Sequence, residues 1–344
     1  MIDLRAPESR QALQQFLSTQ LLQPVDLKDL VLLVGGASRA SWRFRIESSD
    51  GSQELVLRQD MGGEIHDDAL SREQEFRVLR VMEQAGALVP KARWLCTDSG
   101  VLGAPFFVMD FVSGESIGRR IVKDNSLEQA RQKLPVAMAQ QLAKIHSVTS
   151  QAHDLSFLSP PGNLSPAHSA LQSFRDVLTR IDEPHPVLEL THRWLEQHLP
   201  DVTEVVLCHG DFRVGNLLIN KEGLQAVLDW EFVHWGDPIE DLAGPCVRAR
   251  RFGRDELRLG GGGQPETFWQ TYCDLTGRSI GDVRSRAHFW EVVGNYRWAV
   301  GCLQQAQRHL TGQTTSLELV SLGRRAAEVE LELLNLVERS LNDE

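Results

Sequence analysis

Residues 207–216 read LCHGDFRVGN, and residues 227–231 read VLDWE. Two short apolar runs deliver one His, three acids and one Asn to nearly the same place. Clustered carboxylates at strand ends are costly unless a positive group lies among them. The run GLQAVL predicts a strand with Asp229 just past its end. Asn216 opens a preceding strand, NLLIN, and the turn KEG folds the two into a hairpin that brings Asn216 and Asp229 together. An amide oxygen beside a carboxylate makes a pair of hard ligands suited to Mg²⁺. Asp211 lies five residues before Asn216, in a loop, where it can accept a proton from a hydroxyl nucleophile. A bound cation and an anionic substrate would offset the acids.

Such groups need elements to hold them. Before residue 115 short β-like runs dominate: DLVLLVGG, SWRFRIES and QELVLRQ, then ARWLCTD and PFFVMDFV. Residues 67–85 break the pattern as a helix, with Leu70, Phe76, Leu79 and Met82 at helical spacing and Asp67 and Asp68 as caps. A three-strand meander is most simply antiparallel, with the helix on one face. After VSGES the chain turns helical: 127–148, where Pro135 sits in the first turn or kinks the helix, two helices between 167 and 199 parted at EPHP, and more from about 264 to the end. The runs VLCHG and LLINKEGLQAVLDW interrupt as strands, and Gly260 to Gly263 reads as a flexible loop. The change of character implies two lobes, 1–111 and 112–344, joined near Phe111 to Gly114.

Asp211, Asn216 and Asp229 follow the kinase order of a catalytic-loop Asp, an Asn five residues on, and a metal-binding Asp on a later strand. Gly210 departs from the H-R-D form. H-G-D-x-x-x-x-N followed by L-D-W resembles the aminoglycoside phosphotransferase (APH) family, the small-molecule branch of the kinase-like fold. VMDFVSGE, AKIHS and DPIEDLA agree, and the resemblance spans roughly Leu30 to Leu310. The H-G-D-x-R loop is most similar to the subgroup found alone or fused to acyl-CoA dehydrogenases. The resemblance implies an α+β, protein-kinase-like, two-lobe fold: a small antiparallel N-terminal sheet with one helix and a larger, mainly helical C-terminal lobe. It implies ATP and Mg²⁺ as cofactors, Asp211 as the catalytic base, Asn216 and Asp229 as metal ligands, and His209 as a brace for the loop. Arg213 offers a cation to the moving phosphoryl group. Asp241 caps a helix or ties down the catalytic loop.

In the first lobe, GGASRASW joins two strands. Gly35 and Gly36 permit close backbone approach and Ser38 offers a hydroxyl to phosphate; a plain hairpin turn is the alternative. No G-x-x-x-x-G-K-[ST] occurs. Arg58 stands where a kinase lobe carries the Lys for the α- and β-phosphates. Its helix partner is Glu75, with Glu73 competing. The backbone of Asp110, Phe111 and Val112 would meet adenine, with Met109 behind it.

A formal charge of −11 and a pI near 5.5 argue against a nucleic-acid binder. Cys96, Cys208, Cys246, Cys273 and Cys302 form no C-x-x-C pair, so neither a disulfide framework nor a zinc site is expected, and a cytoplasmic setting is simplest. No apolar run approaches the roughly 18 residues of a membrane span, and the N-terminal residues lack a signal-peptide pattern. GRSIG at 277–281 matches the hydrolase nucleophile elbow, but the residues before it read as a helix end, not a strand. Arg248, Arg250, Arg251, Arg254 and Arg258 fall within eleven residues; they read as a solvated helix face with Asp255 and Glu256 as partners, or as a rim that would favour an anionic acceptor, such as a hydroxyacyl-CoA, over a polycationic aminoglycoside. The expected partner is a small-molecule hydroxyl substrate, with the protein a monomer or homodimer that engages neither nucleic acid nor membrane. An aminoglycoside kinase and a non-catalytic, nucleotide-binding pseudokinase scaffold are the other readings.

Overall fold

The computed structural model describes residues 3–33, 39–60, 69–151, 153–159, 162, 164–181, 183–201 and 204–343. Gly35, Gly36, Ser38, Asp67 and Asp68 lie outside them. The chain divides into two compact units. The first comprises 1–114, 150–157 and 225–233; the second comprises 115–149, 158–224 and 234–344.

The first unit opens with helix α1, Pro7–Leu21, started by Pro7 in its first turn. Strands β1 (Asp26–Leu33), β2 (Arg39–Ser48) and β3 (Gly51–Asp60) follow. Helix α2 (Arg72–Gln84), β4 (Ala92–Cys96), the single turn α3 (Ser99–Leu102) and β5 (Phe106–Asp110) complete it. The strands form one sheet, order β1-β2-β3-β5-β4, with every pairing antiparallel. Because side chains alternate across a pleated strand, each strand feeds both faces. Trp42, Phe44, Ile46, Leu55, Leu57, Phe106 and Val108 join Leu13 and Leu17 of α1 in one core. The intervening residues Val56, Phe107 and Met109 are also buried, and Phe107 meets Phe76 of α2 edge-on at 6.1 Å. Arg58 shares that second face by alternation. The α2 cap is Ser71, in a reciprocal capping box with Gln74.

The second unit is mainly helical. It holds α4 (Gly118–Lys123), α5 (Glu128–His146), α6 (Pro166–Ile181) and α7 (Pro186–Gln197). Strand β6 (Val206–Cys208) leads to the loop of interest, then β7 (Leu217–Asn220) and β8 (Gly223–Val227), whose last residues pass into the first unit. A further strand, β9 (His234–Gly236), pairs antiparallel with β6. Helices α8 (Pro238–Ala243), α9 (Pro265–Thr276), α10 (Ile280–Leu310) and α11 (Leu317–Asp343) follow. Pro135 lies inside α5, past its first turn, and the helix continues beyond it.

The fold is thus the expected small antiparallel sheet with a mostly helical remainder; one local expectation changes, and the helix end before GRSIG is found as expected. Gly260 to Gly263 is not a loose loop. Gly260 and Gly261 adopt positive φ, and a Cβ at either would stand 2.3 Å from Val214 or 2.2 Å from the Arg251 carbonyl oxygen, so the turn is packed tightly. GRSIG is a helix–helix junction: Gly277 ends α9 at φ 74 and Ser279 caps α10, so no strand presents the serine. No described helix is long and apolar enough to cross a membrane.

Candidate active site

In the second unit, the chain leaves β6 through His209 and turns at Gly210, whose φ of 79 suits a residue without Cβ. Asp241 holds this turn. Its carboxylate accepts the His209 N–H at 2.6 Å and the Gly210 N–H at 3.0 Å, and His146 Nε2 lies 3.2 Å away. His146 in turn contacts the Tyr272 hydroxyl at 2.7 Å through Nδ1. Burial alone would raise the Asp241 carboxyl, but His146 and the loop amides outweigh it and hold the pKa below its usual value. The cap of α8 is Asp237, which accepts the Ile239 N–H, so of the two roles expected for Asp241 the loop tie is the observed one. His209 Nδ1 accepts the Asp211 N–H at 3.2 Å, inside the same turn.

Asp211 follows, and its side chain is 15% exposed. Oδ2 accepts Arg213 Nε at 2.9 Å and Asn216 Nδ2 at 2.7 Å. Oδ1 accepts Arg250 Nη2 at 2.7 Å. Arg297 donates to the Gly210 carbonyl oxygen at 2.8 Å. Burial would push the Asp211 carboxyl up; Arg213, Arg250 and Arg297 outweigh it, and the pKa falls below the ordinary carboxylate range. Burial also lowers the Arg250 guanidinium, although Asp211 opposes this, with Arg213 and Arg297 adding to the depression. Asn216 gives its N–H₂ to the Asp211 carboxylate and carbonyl, and no donor to its Oδ1 is found among the described residues. Gly215 leaves room for the Arg213 guanidinium: a Cβ there would stand 2.3 Å from Nη1 and displace it.

The first unit carries a second cluster. Arg58 Nη1 pairs with Glu75 Oε1 at 2.9 Å, and Nη2 donates to Asp229 Oδ1 at 3.1 Å. Glu75 is fully buried, whereas Glu73 is exposed on the other side of α2, which decides between them. Arg72, also buried, grips the second Glu75 oxygen. Burial would depress the Arg58 guanidinium, but Glu75 and Asp229 more than compensate and its pKa is raised. Asp229 sits at φ 67, a left-handed conformation rare outside glycine, just beyond β8. Leu70 N–H bonds the Glu231 carbonyl at 2.8 Å, tying the approach to α2 to this turn.

At the end of β5, Met109 is buried. The Asp110 carboxylate is gripped by Arg93 through two bonds of 2.7 Å, and its N–H reaches the Lys91 carbonyl. The Phe111 N–H goes to the Glu54 carbonyl, and the Arg43 guanidinium stacks 3.9 Å from the Phe111 ring centroid. Of the three expected backbone donors, Asp110 and Phe111 spend their N–H groups on Lys91 and Glu54, and no acceptor for the Val112 N–H is found among the described residues.

The arginine-rich segment resolves into individual partners. Arg248 pairs with Asp255 and Glu332, Arg251 and Arg258 with Glu291, and Arg254 with Glu256. Arg250 alone of the five reaches Asp211. Of the two readings of this segment, four of the five arginines follow the one with acidic partners, Asp255 and Glu256 nearby in the chain and Glu291 and Glu332 farther along it. Sequence reading had no signal for Arg72 or Arg297, which arrive through packing.

This architecture is the kinase-like fold. A Ralstonia eutropha crystal structure named for the aminoglycoside phosphotransferases superposes with a TM-score of 0.72 over 96% of this chain and 98% of that one, at 23% identity. The GDP complex of aminoglycoside 2'-phosphotransferase-IIIa gives 0.61 over 95% and 98%, at 13% identity. The profile of the phosphotransferase enzyme family (APH) matches residues 29–278, and the chain belongs to that family. Mouse acyl-CoA dehydrogenase family member 10 is 30% identical over 306 residues, 84% of this chain. The chain spans about a quarter of the length of that relative, 27%.

Proposed function

We propose that the protein transfers the γ-phosphoryl group of ATP, with Mg²⁺, to a hydroxyl of a small anionic molecule in the cytoplasm, such as a hydroxyacyl-CoA. The observation that carries this reading is the Asp211–Asn216 pair. The amide is oriented by the carboxylate, so one loop presents a carboxylate base and, through Asn216 Oδ1, a hard oxygen ligand. Asp229 would supply the other: Oδ1 takes Arg58, and among the described residues no donor is found for Oδ2. Oxygen donors of this kind fit Mg²⁺, and Asn216 and Asp229 would hold it. When bound, the ion neutralises charge on the transferring phosphates.

The remaining steps belong to the chain. Val112 N–H and the Met109 side chain suit the adenine edge. Gly36 and Ser38 are assigned to the phosphates by sequence alone. Arg58, with Glu75 behind it, aligns Asp229. Asp211 orients the acceptor hydroxyl and receives its proton, while Arg213 offsets charge on the phosphoryl group. Arg213, Arg250 and Arg297 around one carboxylate disfavour a polycationic aminoglycoside.

The test is ADP formation from Mg-ATP across a panel of hydroxyl metabolites. Asp211→Ala should lower kcat by roughly 10² or more while Mg-ATP affinity holds. Asp229→Ala should abolish Mg²⁺-dependent ATP binding in calorimetry. One observation favours the scaffold reading: both Arg58 η-nitrogens are occupied by acids rather than left for phosphates. ATP binding without turnover of any acceptor would select it.

A further inference from the structure

Arg250 differs from its neighbours in what it touches. Arg248 and Arg251, on either side, are fixed by Asp255, Glu332, Glu291 and the Cys246 carbonyl oxygen. The turn at Arg248–Arg250 is therefore pinned while one side chain reaches across. Among the described residues its acidic hydrogen-bond partner is Asp211, 39 positions away in the chain, and it also donates to the Gly244 carbonyl oxygen at 3.0 Å. Arg213 holds Asp211 from within the same loop, but Arg250 comes from a separate element and covers the other carboxylate oxygen. Arg213, Arg250 and Arg297 all lie around Asp211 and its loop.

We propose that Arg250 is an interlock on the acceptor site: it covers Asp211 Oδ1 when no acceptor is bound, and an anionic group on the acceptor draws it away. This rests on the reading of Asp211 as the base. In the transfer, the acceptor oxygen forms a bond to the γ-phosphorus. The bond from that phosphorus to the bridging oxygen breaks with its electron pair, giving ADP, and the hydroxyl proton passes to Asp211 and then to water. Water in place of the acceptor yields ADP and inorganic phosphate by the same route, so an uncovered Asp211 wastes ATP. Exchanging a carboxylate for a phosphate or carboxylate on the acceptor replaces one charge-assisted bond with another. A neutral acceptor offers no such exchange and would strand a buried guanidinium. The interlock therefore selects for acceptor charge and suppresses hydrolysis through one residue, acting on the position of Asp211's partner rather than on the reacting atoms.

The experiment uses the full chain with Arg250→Met and Arg250→Gln, the second keeping a donor for the Gly244 carbonyl. Calorimetry with Mg-ATP checks that each variant folds and binds nucleotide. ADP release is measured without acceptor, with 3-hydroxybutyryl-CoA, and with the same acyl group on uncharged N-acetylcysteamine. The expected result is opposite in sign on two readouts. Acceptor-free hydrolysis rises several-fold, while kcat/KM for the CoA thioester falls roughly 30-fold or more, mostly through KM. The uncharged thioester loses little. Hydrolysis that stays flat or falls in folded variants overturns the interlock and leaves a structural arginine, with the phosphotransferase reading intact if wild type still turns over an acceptor. A wild type that consumes no ATP under any condition removes both.

Discussion

Glu75 shows how much can rest on one carboxylate. It has no exposed surface and compensates two buried arginines, Arg58 and Arg72. Removing one partner of such a group leaves uncompensated charge, which is the expensive case. Glu75→Gln should destabilise the protein by about 3–5 kcal/mol in urea unfolding and weaken Mg-ATP binding through Asp229. Glu73→Gln, on the exposed side of α2, should do neither. The pairing of Asn216 with Asp211 was legible in sequence because five positions of one loop separate them. Arg250 and Arg297 were not legible as neighbours of the loop, because they reach it from 39 and 87 positions away and no local pattern announces that.

At the scale of elements, Asp241 joins α8 to the loop after β6 and, through His146 and Tyr272, to α5 and α9. Asp241→Ala would remove the carboxylate acceptor from two buried backbone N–H groups and from His146 Nε2. Expected are a loss of about 2–5 kcal/mol and a drop in kcat from a misplaced Asp211. The linkage has a definite sign. The folded-state pKa of Asp241 lies below its unfolded value, so its contribution is present above the unfolded carboxylate range and is lost as pH falls through it. The variant's stability should therefore depend less on pH on the acid side, as followed by thermal melts. Most elements could be read from periodicity, yet α1 and β9 were not. Helix α1 carried its signal in Pro7 and the i, i+4 pair Leu13 and Leu17, within a segment weighed only as a leader. Strand β9 is three residues long and exists because β6 needs a partner.

Across the whole molecule, all five cysteines are free and buried. Burial pushes the Cys246 thiol up to about 12 and the Cys302 thiol up to about 11, far from the thiolate that reacts. Native protein should therefore resist an aromatic disulfide reagent at neutral pH, and unfolding should release five equivalents. Rapid labelling of the native state would mean that one of the two units opens readily. The charge pattern also belongs to this scale. The net charge of −11 is read from the sequence, whereas the gathering of Arg213, Arg250 and Arg297 around the Asp211 loop required the fold.

Phe252 is held at φ 54, and its ring tip fills the place a β-carbon would take at Gly118, 2.1 Å from where that atom would stand. The two positions therefore cannot vary independently. Gly118→Ala alone must expel the ring, and Phe252→Gly alone relieves a strained backbone but leaves a hole. Made together, they should cost less than the sum of the two. Lineages that exchange Gly118 for a larger residue should already have lost the aromatic ring at 252, so the order in which such changes accumulate is constrained by a single contact.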